Sequence, residues 1–91
     1  MIRKAYKLYA DKFGNDAQLT KAIEELSELQ KAICKYKLGE KDGKDIIEEV
    51  ADVEIMTEQI KLMFDCHAEV EKIKLSKINR MIERISFNKC Q

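Results

Sequence analysis

The chain has 91 residues with no proline, three glycines and 37% charged residues, which describes helices joined by short loops in one domain with a modest core. Lysine plus arginine number 17 and aspartate plus glutamate number 17, so no net field recruits nucleic acid or an anionic membrane. There is no secretory h-region and no apolar run of membrane-spanning length, and Cys34, Cys66 and Cys90 are odd in number with no CxxC pair. The expectation is a single cytoplasmic domain over residues 1–91, with reduced thiols and no zinc.

In chain order, Ile2, Ala5, Tyr6, Tyr9 and Phe13 recur at helical spacing and predict a short amphipathic helix from Met1 to Phe13 with an aromatic face. Gly14-Asn15 ends it, and Asp16 is the expected N-cap of a second helix running to about Leu38. Gly39 supplies the left-handed turn, and Glu40 to Gly43 form a loop short enough to send the next helix back antiparallel. The third helix is expected from Lys44 or Asp45 to Phe64, with Ile46, Val50, Val53, Ile60 and Met63 towards the core. Asp65 to His67 is a tight connection. A fourth helix follows from about Ala68 to Phe87, with Leu75, Ile78, Ile82 and Ile85 as its apolar stripe and Lys74, Lys77 and Arg84 beside it. The tail after Phe87 is expected to fray.

One pattern is written twice. Ile23-Glu24-Glu25-Leu26-Ser27-Glu28-Leu29 and Ile47-Glu48-Glu49-Val50-Ala51-Asp52-Val53 both read apolar-Glu-Glu-apolar-small-acid-apolar. Residues three apart lie on neighbouring turns of one helix face, so Glu25 pairs with Glu28 and Glu49 with Asp52. The neighbours Ile23, Leu26, Leu29, Val50 and Val53 are expected to face a core, where an uncompensated carboxylate is costly. Packing the two helices antiparallel brings four acids into one volume, and like charges so close do not all ionise without a cation. Oxygen-only ligands select a hard ion, Mg²⁺ or Mn²⁺. Gln18 and Lys21 share the face of Glu25, and Met56 and Gln59 that of Asp52, as candidate substrate walls.

The five acids resemble the E-E-x-x-E … E-x-x-D signature of the all-α nucleoside triphosphate pyrophosphohydrolases. These are the MazG-like proteins, related to dimeric dUTPases and phosphoribosyl-ATP pyrophosphohydrolase. Lys77 to Ile85 is similar to a basic family motif, K-x-x-x-N-x-x-R-Y, keeping Lys77 and Arg84 but carrying Met81 for Asn and Ile85 for Tyr. The resemblance covers about residues 15 to 86. It implies an all-α four-helix bundle and Mg²⁺-dependent cleavage of nucleoside triphosphates between the α and β phosphates. Glu25, Glu28, Glu49 and Asp52 would hold metal, with Glu24 further out. Gln18, Lys21, Lys74, Lys77 and Arg84 are the expected substrate contacts, and the assembly a homodimer or homotetramer.

Other chemistries meet obstacles in the same residues. A single acid pair three apart is ordinarily a solvated helix face; the duplication and spacing raise this one above that. A di-iron bundle needs Glu-x-x-His on two helices, yet His67 is the only histidine and Phe64 stands where its glutamate belongs. An EF-hand reading of Asp42, Gly43 and Glu49 puts Leu38 at the first ligand position. Cys66 and His67 adjoin only in sequence, and a structural thiol is the simpler reading. Two alternatives stand: phosphoribosyl-ATP pyrophosphohydrolase, and a metal-binding helical interaction module without catalysis.

Overall fold

The computed structural model describes residues 2–89, with side chains through residue 86; Met1, Cys90 and Gln91, the last two in the tail expected to fray, lie outside the described residues. Four helices follow one another: α1 (Ile2–Phe13), α2 (Asn15–Lys37), α3 (Lys44–Phe64) and α4 (His67–Lys89). The architecture is all-α, with no strand among the described residues.

The junctions follow from backbone chemistry. Gly14, at φ 85 and ψ 162, is the whole break between α1 and α2, so the second helix resumes at once and Gly14 rather than Asp16 stands at its N-cap. Asp16 falls in the first turn, where its charge faces the positive end of the helix dipole. At the other end Gly39, at φ 78, donates its N–H to Tyr36 O at 3.0 Å, and Glu40 N–H reaches Lys35 O at 3.0 Å. That pair of bonds is a Schellman closure, which needs a left-handed residue at this position. Asp65 plays the corresponding part after α3 with φ 49, an unusual angle for a residue with a Cβ. The fourth helix begins at His67 and runs to Lys89, past the expected end at Phe87.

The short Leu38–Gly43 connection folds α3 back along α2, and this antiparallel pair is the centre of the molecule. Along their seam the residues that lose most exposure step by four and three in alternation: Gln18, Ala22, Glu25, Leu29 and Ala32 on α2, and Glu49, Asp52, Met56, Gln59 and Met63 on α3. This is the spacing of a heptad interface. Ala22, Ala32 and Met56 are its buried apolar members, and the small alanines allow the two backbones a close approach. α1 lies across the pair at the end where α2 begins and α3 finishes.

Several expected core residues face the other way. Ile23 is 65% exposed, Leu26 51% and Val50 39%, while Leu29 and Val53 are half-buried. α2 and α3 each carry apolar residues on two faces, and only the face that includes the acids and alanines lies between them. α4 touches α3 through its beginning, around Cys66, His67 and Val70, and then projects, so its stripe of Leu75, Ile78, Ile82 and Ile85 lies open. The radius of gyration is accordingly 16.9 Å, against about 12 Å for a compact domain of this length.

Candidate metal centre

Glu25, Glu49 and Asp52 occupy seam positions midway along the α2–α3 pair. One carboxylate oxygen from each lies within 4.8 Å of the others, and all three side chains are half-buried. Among the described residues Glu49 Oε2 is buried with no hydrogen-bond partner. Its burial, followed by the charges of Glu25 and Asp52, pushes the Glu49 carboxyl above its ordinary range. Two halves of the repeated motif thus meet in space.

One cation stands at the edge. Lys21 Nζ lies 3.2 Å from Glu25 Oε1 and 3.6 Å from Glu24 Oε2, and the bond to Glu25 is the main reason its ammonium is held above the ordinary lysine range. Glu24 is exposed and bonded only outward, to Lys21, among the described residues. Within the trio Lys21 pairs with Glu25 alone, and neither Glu49 nor Asp52 has an ion pair among the described residues. Converging carboxylates, an orphaned buried oxygen and a donor set of oxygen alone suit a hard divalent cation.

Glu28 departs from the four-acid expectation. It is exposed and lies outside the converging trio, flanking Glu49 in a small cleft of about 100 Å³ with Lys31, Lys35 and Asp45. It remains close enough for its charge to add to the upward push on Glu49. Lys31 and Lys35, three and seven positions after Glu28, are cations beside the acids that the sequence reading passed over. Their signal was present: both spacings fall on the face of Glu28.

The remaining expected contacts divide by location. Gln18 is buried in the seam two turns before Glu25, and Gln59 two turns beyond Asp52. Lys74 is 3.3 Å from Glu71 and lines a shallow cleft against α3 beside Glu54, Glu58 and Lys61. Lys77 and Arg84 are exposed on the projecting part of α4, which does not pack against α2, so a single chain does not bring them to the acids. A second charged group, also unforeseen, ties α3 to the start of α4. Lys61 Nζ donates to Glu58 Oε1 at 2.8 Å, and His67 Nε2 lies 3.3 Å from Glu58 Oε2, a donor when that nitrogen carries the proton.

No family model, curated protein or solved structure matches the chain.

Proposed function

We propose that this chain is a Mg²⁺-dependent nucleoside triphosphate pyrophosphohydrolase that releases a nucleoside monophosphate and pyrophosphate. The observation that carries the reading is the meeting of Glu25, Glu49 and Asp52, drawn from both copies of one motif, around a buried carboxylate oxygen that has no hydrogen-bond partner among the described residues. Glu25, Glu49 and Asp52 would hold Mg²⁺ or Mn²⁺, with Glu28 flanking them. Such an ion would supply charge neutralisation for the triphosphate and Lewis-acid activation of a water.

The chain's own groups supply the rest. Lys21, 3.2 Å from Glu25 at the edge of the trio, would offer its ammonium to a phosphate oxygen. Lys31 and Lys35 extend the positive flank on the other side. Glu24, exposed next to Lys21, is the outer acid within reach of water. Lys77 and Arg84 serve the same triphosphate only from a second copy of the chain, and the open apolar faces of α2, α3 and α4 supply the reason for such a copy to dock.

The distance of Lys77 and Arg84 from the acids also favours one other reading, a helical interaction module that binds metal without turnover. A Mg²⁺ titration with pyrophosphate detection over a panel of ribo- and deoxynucleoside triphosphates separates the two. Turnover is expected in the wild type. In Glu25→Ala or Asp52→Ala it should fall at least about a hundredfold with the helical circular dichroism signal kept. Metal binding with no turnover on any nucleotide favours the module.

A further inference from the structure

Apart from the acid trio, the seam contains two other polar side chains with unpaired atoms, and both are more deeply buried than the acids. Gln18 is 2% exposed and Gln59 5%, and among the described residues Gln18 Nε2 and Gln59 Oε1 have no hydrogen-bond partner. One is a donor and the other an acceptor. Seam positions of this kind ordinarily hold apolar residues, and a buried amide left unpaired lowers stability.

Both glutamines line a cleft of about 680 Å³, where α1 crosses the end of the α2–α3 pair. Tyr6, Ala10, Leu62 and Met63 make its walls mainly apolar. α1 adds the exposed cations Arg3, Lys4 and Lys7. Those cations by themselves suit any anion. A phosphate or carboxylate, however, offers acceptors only, and would leave the buried Gln59 Oε1 unpaired. The edge of a nucleobase presents a donor next to an acceptor, and amides of glutamine pair with such edges.

The position agrees with the acids. Gln18 precedes Glu25 by seven residues and Gln59 follows Asp52 by seven, which sets both about 10 Å along the helices from the trio. Buried Ala22 and Met56 occupy the seam between the two places. An extended nucleotide covers a comparable span from the edge of its base to its phosphates.

We infer that the cleft between α1 and the α2–α3 pair is a nucleobase pocket, in which Gln18 and Gln59 read the hydrogen-bonding edge of the base. The inference takes its ligand from the pyrophosphohydrolase reading, and its test separates the two. In ¹⁵N-labelled full chain, the side-chain amide resonances of Gln18 and Gln59 are followed as adenosine, guanosine, cytidine, uridine or thymidine is added. Both should shift saturably with at least one nucleoside, in the absence of phosphate and Mg²⁺. Among triphosphates, the wild type should prefer one base in kcat/KM by at least about tenfold. Gln18→Leu and Gln59→Leu should collapse that preference, while Mg²⁺ affinity is retained and melting temperature rises as an unpaired amide is removed.

Hydrolysis by the wild type with neither amide shifting for any nucleoside overturns the pocket and leaves the pyrophosphohydrolase standing. Nucleoside-induced shifts without hydrolysis of any triphosphate keep the pocket and remove the enzyme. Leucine variants that lose activity equally towards every base also overturn the assignment, since the amides would then support the fold alone.

Discussion

Glu49 is the residue on which stability and the proposed metal binding pull in opposite directions. Its carboxyl is raised by burial and by Glu25 and Asp52, so the folded chain holds a proton there more tightly than the unfolded chain. The cost to folding is absent below the ordinary carboxylate range and complete above the raised folded value; stability falls as pH climbs between them. Neutral glutamine of the same shape removes that cost. Glu49→Gln should therefore melt at a higher temperature than the wild type at neutral pH without metal, by thermal unfolding. Mg²⁺ should stabilise the wild type and leave the variant unchanged, because binding to the folded state alone raises stability. A variant that melts lower without metal, or gains as much from Mg²⁺, contradicts the assignment of Glu49.

At the scale of the element, α4 is attached to the rest of the chain by little more than its first turns, and Glu58 is the centre of that attachment. Its carboxyl is held below the ordinary range chiefly by the hydrogen bond from Lys61, with His67 adding to it and burial opposing. A depressed folded value means the contribution is present above the ordinary carboxylate range and is lost as pH falls through the folded value. Glu58→Gln should flatten the acid limb of the stability profile below the ordinary carboxylate range. It should also lower protection of the first turns of α4 in amide hydrogen exchange while protection of the α2–α3 seam stays the same. Equal loss of protection in both regions would show Glu58 to act on the whole fold and not on the attachment of α4.

At the scale of the whole molecule, large apolar side chains stand exposed on α2, α3 and α4. Ile23, Ile47 and Ile55 on the hairpin and Leu75, Ile78 and Ile82 on α4 are all exposed, and faces of this extent mark interfaces. A homodimer or homotetramer is the expected state, with α4 of one copy laid on the outer face of the α2–α3 pair of another. Light scattering at micromolar concentration should give a multiple of the 10.6 kDa chain mass. Ile78→Glu together with Ile82→Glu should shift the chain to monomer and reduce turnover with it, since Lys77 and Arg84 would no longer reach the acids. A stable, active monomer overturns this assembly.

What the sequence determined by itself was the set of helices. Apolar periodicity, the absence of proline and the glycines at 14, 39 and 43 are local signals, and local signals decide where a helix runs and stops. The doubled acid pattern was equally legible, because residue spacing on a helix is constant. Only the tertiary structure decided how each helix is rotated about its axis. α2 has Ala22, Leu29 and Ala32 on one face and Ile23, Leu26 and Ile33 on another, and its own periodicity does not choose between them. Packing on α3 turned the smaller residues inward. That rotation carried Glu25, Glu49 and Asp52 into the seam, left Glu28 at its flank, and buried Gln18 and Gln59 with unpaired atoms. The projection of α4, and with it the separation of Lys77 and Arg84 from the acids, is likewise a matter of contact between distant parts of the chain, to which local spacing is blind.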